Sequence, residues 1–138
     1  MKPRLVALAL LSALTPVAAA AQPFPDDAGA GIKRGIAELN NSGQVGTVTL
    51  FGHGGGTAIV ISVNGVAPRR VESVRLYRGM DCDALQPPAR YILADLKNGV
   101  SRTVVSLSGA RLLSGNYNVV IFSSTRRGAP PAACGHLF

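Results

Sequence analysis

Short runs of β-branched and apolar residues, separated by glycine and asparagine, recur through most of this chain. Residues 45–51 read VGTVTLF and residues 57–63 read TAIVISV, with the glycine-rich stretch GHGGG between them. In the second run Ile59, Ile61 and Val63 lie on one face, which is the period of two residues expected for a strand with one buried side. Two such runs joined by glycines predict a β-hairpin.

The same pattern continues into the C-terminal half of the chain. Residues 71–78, 103–107 and 117–123 are short and rich in valine, isoleucine and aromatic residues. In the first of these, Val74 and Leu76 share one face, and Arg75 and Tyr77 share the opposite face. Strands of this length and spacing predict an all-β sandwich or barrel.

Residues 32–39 fit two kinds of structure. Ile32, Ile36 and Leu39 lie at helical spacing, but the segment can equally be a first strand that ends at the following asparagine and glycine turn. Gly35 weakens a helix at its centre. We therefore predict a strand here.

The first 21 residues have the composition of an export signal. Lys2 and Arg4 are basic, residues 5–14 are apolar, and small residues end the segment at Ala21. This order predicts a helical signal peptide that is cleaved before Gln22; an uncleaved membrane anchor is the alternative. Residues 22–31 then form a flexible lead-in, and residues 32–138 form one β domain. A periplasmic or secreted protein is expected, with no transmembrane segment after cleavage.

The charge balance restricts the partners. Without the leader the chain has twelve basic and seven acidic residues, a net charge of +5. This fits either an anionic partner or a solvated basic surface. Because aromatic residues do not alternate with the arginines as base-stacking platforms would, we expect no nucleic-acid partner. The expected partner is therefore another protein or an anionic component of the cell envelope.

Cys82 and Cys134 are the two cysteines of the chain. Each lies in or beside a long connection, at residues 79–90 and 124–133, and the first connection contains two prolines that predict a position outside any β-ladder. In an oxidising compartment two cysteines most simply pair with each other. We predict a Cys82–Cys134 disulfide. In the chain-entropy model, closing a loop of this length contributes on the order of 4 kcal/mol to the stability of the fold.

Side chains that carry chemistry are few. His53 and His136 lie on separate segments without the spacing of a metal site, and the seven acidic residues form no recognisable catalytic pair. The sequence has no nucleophile elbow, phosphate-binding loop or catalytic cysteine–histidine motif. These observations predict a protein that is not an enzyme and that has no metal and no cofactor.

Three stretches carry a resemblance to a known family. Residues 74–79 read VRLYRG shortly before Cys82, residues 114–122 read SGNYNVVIF, and residues 133–135 read ACG. In order and spacing, from about residue 32 to 138, they resemble the Cu/Zn superoxide dismutase-like β-sandwich, and most of all its chordin-type (CHRD) exported relatives. The resemblance implies a Greek-key β-sandwich or barrel of immunoglobulin-like architecture, with a disulfide between the loop cysteine and the last cysteine.

The departures from that family concern its metal site. The copper-binding histidines of the family correspond here to Arg75, Tyr77 and Phe122, and its substrate-guiding arginine corresponds to Pro131. Copper in such sites needs imidazole ligands, and the cationic Arg75 would repel the metal. The resemblance therefore implies the fold and the disulfide, and it argues against dismutase activity.

These observations together predict an exported, non-enzymatic β-sandwich that acts as a binding or structural module. Arg75, Tyr77 and Phe122 would share an outward face beside the disulfide loop and form a candidate partner-binding patch; alternatively, they pack under the 79–90 connection. The competing function is a copper-binding or superoxide dismutase-related periplasmic protein, in which His53, His136 or the N-terminal amine holds the metal.

Overall fold

The structure is a computed structural model that describes residues 31–138. The signal peptide predicted for residues 1–21, and the lead-in up to residue 30, lie outside the described residues. The described part contains eight strands and one short helix, in this order: β1 (Ile32–Glu38), β2 (Val45–His53), β3 (Gly56–Asn64), β4 (Val71–Gly79), β5 (Leu85–Lys97), β6 (Val100–Val105), α1 (Gly109–Ser114), β7 (Tyr117–Phe122) and β8 (Pro131–His136).

The strands form one closed barrel. Their order around it is β1-β2-β3-β6-β5-β4-β7-β8, and every neighbouring pair is antiparallel. The β2–β3 hairpin turns at Gly54 and Gly55, whose φ angles are 53° and 84°. A two-residue turn with positive φ at both central positions matches the twist of the flanking strands and favours glycine. The hairpin predicted from the sequence is thus confirmed.

The hydrophobic core fills the barrel interior, because alternate residues of each strand point inward. Val48 and Leu50 of β2 and Ile59 and Ile61 of β3 are fully buried. The helix α1 contributes Leu112 to the same core. The other fully buried members of the core are Val74, Leu76, Leu96, Val119, Ile121, Ala133 and Leu137.

The all-β prediction is confirmed, including the ambiguous first segment. Residues 32–38 form β1, where Ile32 to Ile36 pair with β2, so the neighbouring strand decides between the two local alternatives. The strand predicted at residues 103–107 starts earlier, at Val100, and ends at Val105.

The connection predicted at residues 79–90 ends earlier, because β5 begins at Leu85 and contains Pro87 and Pro88. The two prolines take no part in the ladder, as predicted, since neither has a register partner on β4. Gln86 pairs with Arg78 and Tyr91 pairs with Leu76, so the prolines fall within a β-bulge where β5 has extra residues. Proline has no backbone N–H, so it cannot donate a hydrogen bond to a neighbouring strand. The extra residues of a bulge are unpaired, and a bulge therefore tolerates proline. Similarly, the connection predicted at 124–133 ends earlier, because β8 begins at Pro131.

Side-chain hydroxyls close the barrel between β5 and β6. Here the strands share one register pair, Lys97 with Val100. Beyond it, the Ala94 N–H donates to Thr103 Oγ1 at 2.7 Å, and Ser101 Oγ donates to the Ala94 carbonyl at 2.6 Å. These bonds take the place of backbone pairing between the two strands. Because the Ser101 hydroxyl has a hydrogen-bond partner, its burial is tolerated. No helix within residues 31–138 is long and apolar enough to cross a membrane.

Candidate functional site

The disulfide predicted between Cys82 and Cys134 is present, with 6.2 Å between the Cα atoms. Ala133 belongs to the core, so its neighbour Cys134 points to the outside of the barrel. There Cys134 lies opposite Val120 of β7 and Ala37 of β1. The bond therefore holds the β4–β5 connection, residues 80–84, against the outer face of β8.

Arg75, Tyr77 and Phe122 lie on the same outer side of the barrel. Val74 and Leu76 are buried in the core, so Arg75 and Tyr77 alternate outward on β4. Arg75 pairs with Val120, which in turn pairs with Cys134. Arg75, Val120 and Cys134 therefore lie side by side on three neighbouring strands, with the arginine two strands away from the disulfide.

The structure brings these three side chains into contact. The Arg75 guanidinium carbon is 5.2 Å from the centroid of the Phe122 ring, which is the distance of a cation–π contact. The Tyr77 and Phe122 ring centroids are 6.4 Å apart, with the rings inclined at 55°, an arrangement that aromatic pairs favour. We call these three residues the arginine–aromatic surface.

The arginine–aromatic surface is partly open to solvent. Its three side chains are all half-buried, so the neighbouring β4–β5 connection does not cover them fully. Within the described residues, Arg75 Nε is buried and has no hydrogen-bond partner. The surface thus combines a cation with two aromatic rings, groups that are enriched at the centres of protein interfaces.

His136 belongs to a hydrogen-bond network beside the disulfide. Asn118 is fully buried, and its Nδ2 donates to the Gly79 carbonyl at 2.8 Å. Its Oδ1 then faces His136 Nδ1 at 2.6 Å, so the network assigns the donated proton to Nδ1. The His136 ring also contacts Phe138, with centroids 5.4 Å apart. Asn118 therefore links His136 on β8 to the end of β4.

The side chains that the sequence analysis compared with copper ligands do not suit copper. Arg75 and Phe122 contact each other, and neither offers a donor that copper prefers. His53 lies at the end of β2, on the β2–β3 hairpin, and His136 lies on β8. Within residues 31–138, no three histidine, cysteine, aspartate or glutamate side chains form a group that could hold a metal. The residues present do not fit the metal.

A second polar cluster was missed by the sequence interpretation. Gln44, Arg70 and Glu72 meet at one end of the barrel, where Gln44 Nε2 donates to Glu72 Oε1 at 2.8 Å. The signal was present in the alternation of β4: the face that contains Val74 and Leu76 also contains Glu72, so the strand places a carboxyl group inside the barrel.

Comparisons of the chain with protein-family models, with curated proteins and with solved structures give no match.

Proposed function

We propose that this protein is an exported, non-enzymatic binding module that captures a partner on the arginine–aromatic surface. The observation that carries the proposal is the contact of Arg75 with Phe122, and of Phe122 with Tyr77, on a half-open outer face. Exposed arginine and aromatic side chains form the anchors of many protein interfaces. The partner is a protein with an acidic surface, since the chain without its leader is basic.

The strand order supports a Greek-key barrel related to the superoxide dismutase-like proteins. Strands β4, β5 and β6 are joined consecutively, and β3 lies beside β6. On the other side, β7 lies beside β4. Each arrangement is three consecutive antiparallel strands with a fourth that arrives by a crossing connection, which is the Greek-key pattern. In this proposal the protein keeps the barrel and the disulfide of that family without its metal.

Export is supported by the leader and by the disulfide. Residues 1–21 have the order of a signal peptide, and disulfides persist in oxidising compartments such as the periplasm or the extracellular space. A Cys82–Cys134 bond fits such a compartment. We therefore propose a periplasmic or secreted location.

Photocrosslinking in the producing cell tests the partner surface. Tyr77 is replaced by p-benzoylphenylalanine, which keeps an aromatic ring at the surface. The matched control places the same group at Val104, which is 46% exposed on β6. We expect a discrete crosslinked species from position 77 that weakens when Arg75 is changed to Gln. Crosslinks of equal pattern from both positions, or none from position 77, would contradict the proposal.

Metal titration tests the metal-free part of the proposal. The exported protein is purified, incubated with copper and with zinc, and its bound metal is measured. We expect less than stoichiometric binding of either ion, because the described residues offer no group of three ligands. One tightly held equivalent of copper would contradict this part and favour the copper-binding alternative.

A further inference from the structure

Two arginines line one open cavity at the end of the barrel where β4 ends and β7 begins. The inward face of β4 carries Val74, Leu76 and then Arg78, which pairs with Tyr117, the first residue of β7. The period of two residues therefore places a cation where the apolar core meets solvent, and Arg78 is exposed there. The second arginine, Arg111, lies on the helix α1, which precedes β7 along the chain.

Arg78 is held by two contacts that leave most of its hydrogen-bond donors available. Its Nε donates to the Gly115 carbonyl at 3.2 Å. Its guanidinium carbon is 5.4 Å from the centroid of the Tyr117 ring, which is the distance of a cation–π contact. In the described part of the chain, these contacts use one of the five N–H donors of the guanidinium. The N–H groups of Nη1 and Nη2 are therefore available to a ligand.

Arg111 brings a second positive charge to the same cavity. Its side chain is exposed, and within residues 31–138 its guanidinium makes no ion pair and no hydrogen bond. The cavity has a volume of about 360 Å³, and Leu107, Ser114 and Tyr117 complete most of its wall. Among the described residues, no aspartate or glutamate lines it. A cleft with charges of one sign attracts the opposite charge, so this cavity favours an anion.

A second cavity, of about 280 Å³, adjoins the first and is rich in uncharged polar groups. The two cavities share Arg78, Ser114 and Gly115. The second cavity adds the exposed side-chain amides of Gln86 and Asn116, and an amide both donates and accepts hydrogen bonds, as a hydroxyl group does. Ser114 Oγ donates to a carbonyl of its own helix at 2.9 Å, so the same oxygen can accept from a ligand hydroxyl. The cationic cavity thus has a neighbour that suits hydroxyl groups.

We propose that this end of the barrel binds a phosphate monoester of a sugar or another polyol. The phosphate lies between Arg78 and Arg111 and accepts from both guanidiniums, while the ligand hydroxyls bind the amides of Gln86 and Asn116. A phosphate monoester carries nearly two negative charges at neutral pH, which matches the two cations, and its oxygens suit the paired N–H groups of a guanidinium. A carboxylate carries a single charge and would leave one cation uncompensated. The site contains no member of the arginine–aromatic surface, so this inference goes beyond the proposed function.

Titration of the exported protein with glucose 6-phosphate, followed by ¹H–¹⁵N NMR, tests the inference. The reporters are the side-chain amides of Gln86 and Asn116 and the Arg78 Nε–H, because they belong to the site. We expect saturable shifts of these signals, with a dissociation constant of about 0.1–1 mM for a ligand of this size. Inorganic phosphate lacks the hydroxyl groups, so we expect it to bind roughly threefold or more weakly. Glucose lacks the charge, and we expect no saturable shift with it.

Two matched variants separate the site from the overall charge of the protein. Arg111→Gln removes one cation whose side chain holds no other group in place, so the fold should be preserved. We expect the affinity for glucose 6-phosphate to fall roughly fivefold or more. Arg127→Gln removes the same charge from an exposed arginine outside both cavities, and the affinity should change by less than about twofold. Equal losses in the two variants would overturn the proposal.

A free sugar phosphate and a phosphorylated lipid headgroup present the same chemistry. Phosphatidylcholine vesicles that contain phosphatidylinositol 4-phosphate carry the monoester on a membrane surface, and sedimentation with them separates the two sources. Binding of glucose 6-phosphate that depends on Arg111 assigns the site to a free phosphate ester. Sedimentation that depends on Arg111, without binding of glucose 6-phosphate, assigns it to a headgroup. Binding of neither, shifts confined to residues outside the two cavities, or glucose 6-phosphate that binds no more tightly than inorganic phosphate would overturn the proposal.

Discussion

The Cys82–Cys134 disulfide closes a loop that contains β5, β6, α1 and β7, with a sequence separation of 52 residues. A cross-link reduces the conformational entropy of the unfolded chain. In the chain-entropy model, a loop of this size contributes about 4 kcal/mol at 25 °C. We expect the double variant Cys82→Ala, Cys134→Ala to lose about that much free energy of unfolding, because the remaining barrel contacts are unchanged.

Urea denaturation followed by circular dichroism measures this loss. For a domain of this size the dependence of the unfolding free energy on urea is about 1–3 kcal/mol per molar. A loss of 4 kcal/mol then lowers the unfolding midpoint by roughly 1 to 4 M. The slope should also rise, since the unfolded variant is free to expand and expose more surface.

Wild-type protein that is unfolded and refolded under reducing conditions serves as the control, and it should match the double variant. A loss below about 1 kcal/mol would refute the entropic argument for this loop. The argument would also fail if the reduced wild type were much less stable than the variant, since the loss would then come from free thiols in the native state.

Three further changes have effects that the contacts predict. Gly46→Ala should destabilise the barrel by about 1–3 kcal/mol or more, because its new β-carbon would overlap a carbonyl of β3; Gly35→Ala, where nothing lies within 4 Å, should stay within about 0.5 kcal/mol. Asn118→Ala should cost about 1–3 kcal/mol, because it leaves a buried carbonyl and an imidazole N–H unpaired. Phe122→Leu should cost about 0.5–1.5 kcal/mol, because it removes the ring that contacts Arg75.

Thermal or urea unfolding of the purified variants measures all three changes. Equal stability of the two glycine variants would contradict the backbone overlap at Gly46. For Asn118, faster amide hydrogen exchange in the β4–β5 connection should accompany the loss, and unchanged exchange would argue against the network. For Phe122, an Arg75→Met background should remove part of the effect, and full additivity would contradict the cation–π contact.

The alternation of apolar residues was sufficient to predict most of the strands. A strand with one buried side must repeat every two residues, and this pattern is clear at Ile59, Ile61 and Val63. The disulfide could be predicted because two cysteines can form a single intramolecular pair. The contact between Arg75 and Phe122 could be predicted only as a shared face, since strand register decides which outward side chains meet.

The end of the connection predicted at residues 79–90 was wrong, because local preference conflicts there with tertiary pairing. Proline removes a backbone donor, so the sequence favoured a loop at Pro87 and Pro88. The barrel accommodates both residues at a bulge in β5, because the longer strand has residues that need no partner there. The preference of proline for loops is visible in the sequence at a single position. A bulge depends on how two strands pair, and the sequence does not show that pairing.

The sequence by itself determined the inward and outward faces of the strands, the all-β class and the pairing of the two cysteines, because these depend on periodicity and composition. Only the tertiary structure decided that Gln44 meets Glu72, although 28 positions separate them along the chain. Closure of the barrel places the start of β2 opposite the start of β4. No local sequence pattern shows that these two strand ends lie close together. The buried contact between these two side chains therefore arises from the closed sheet.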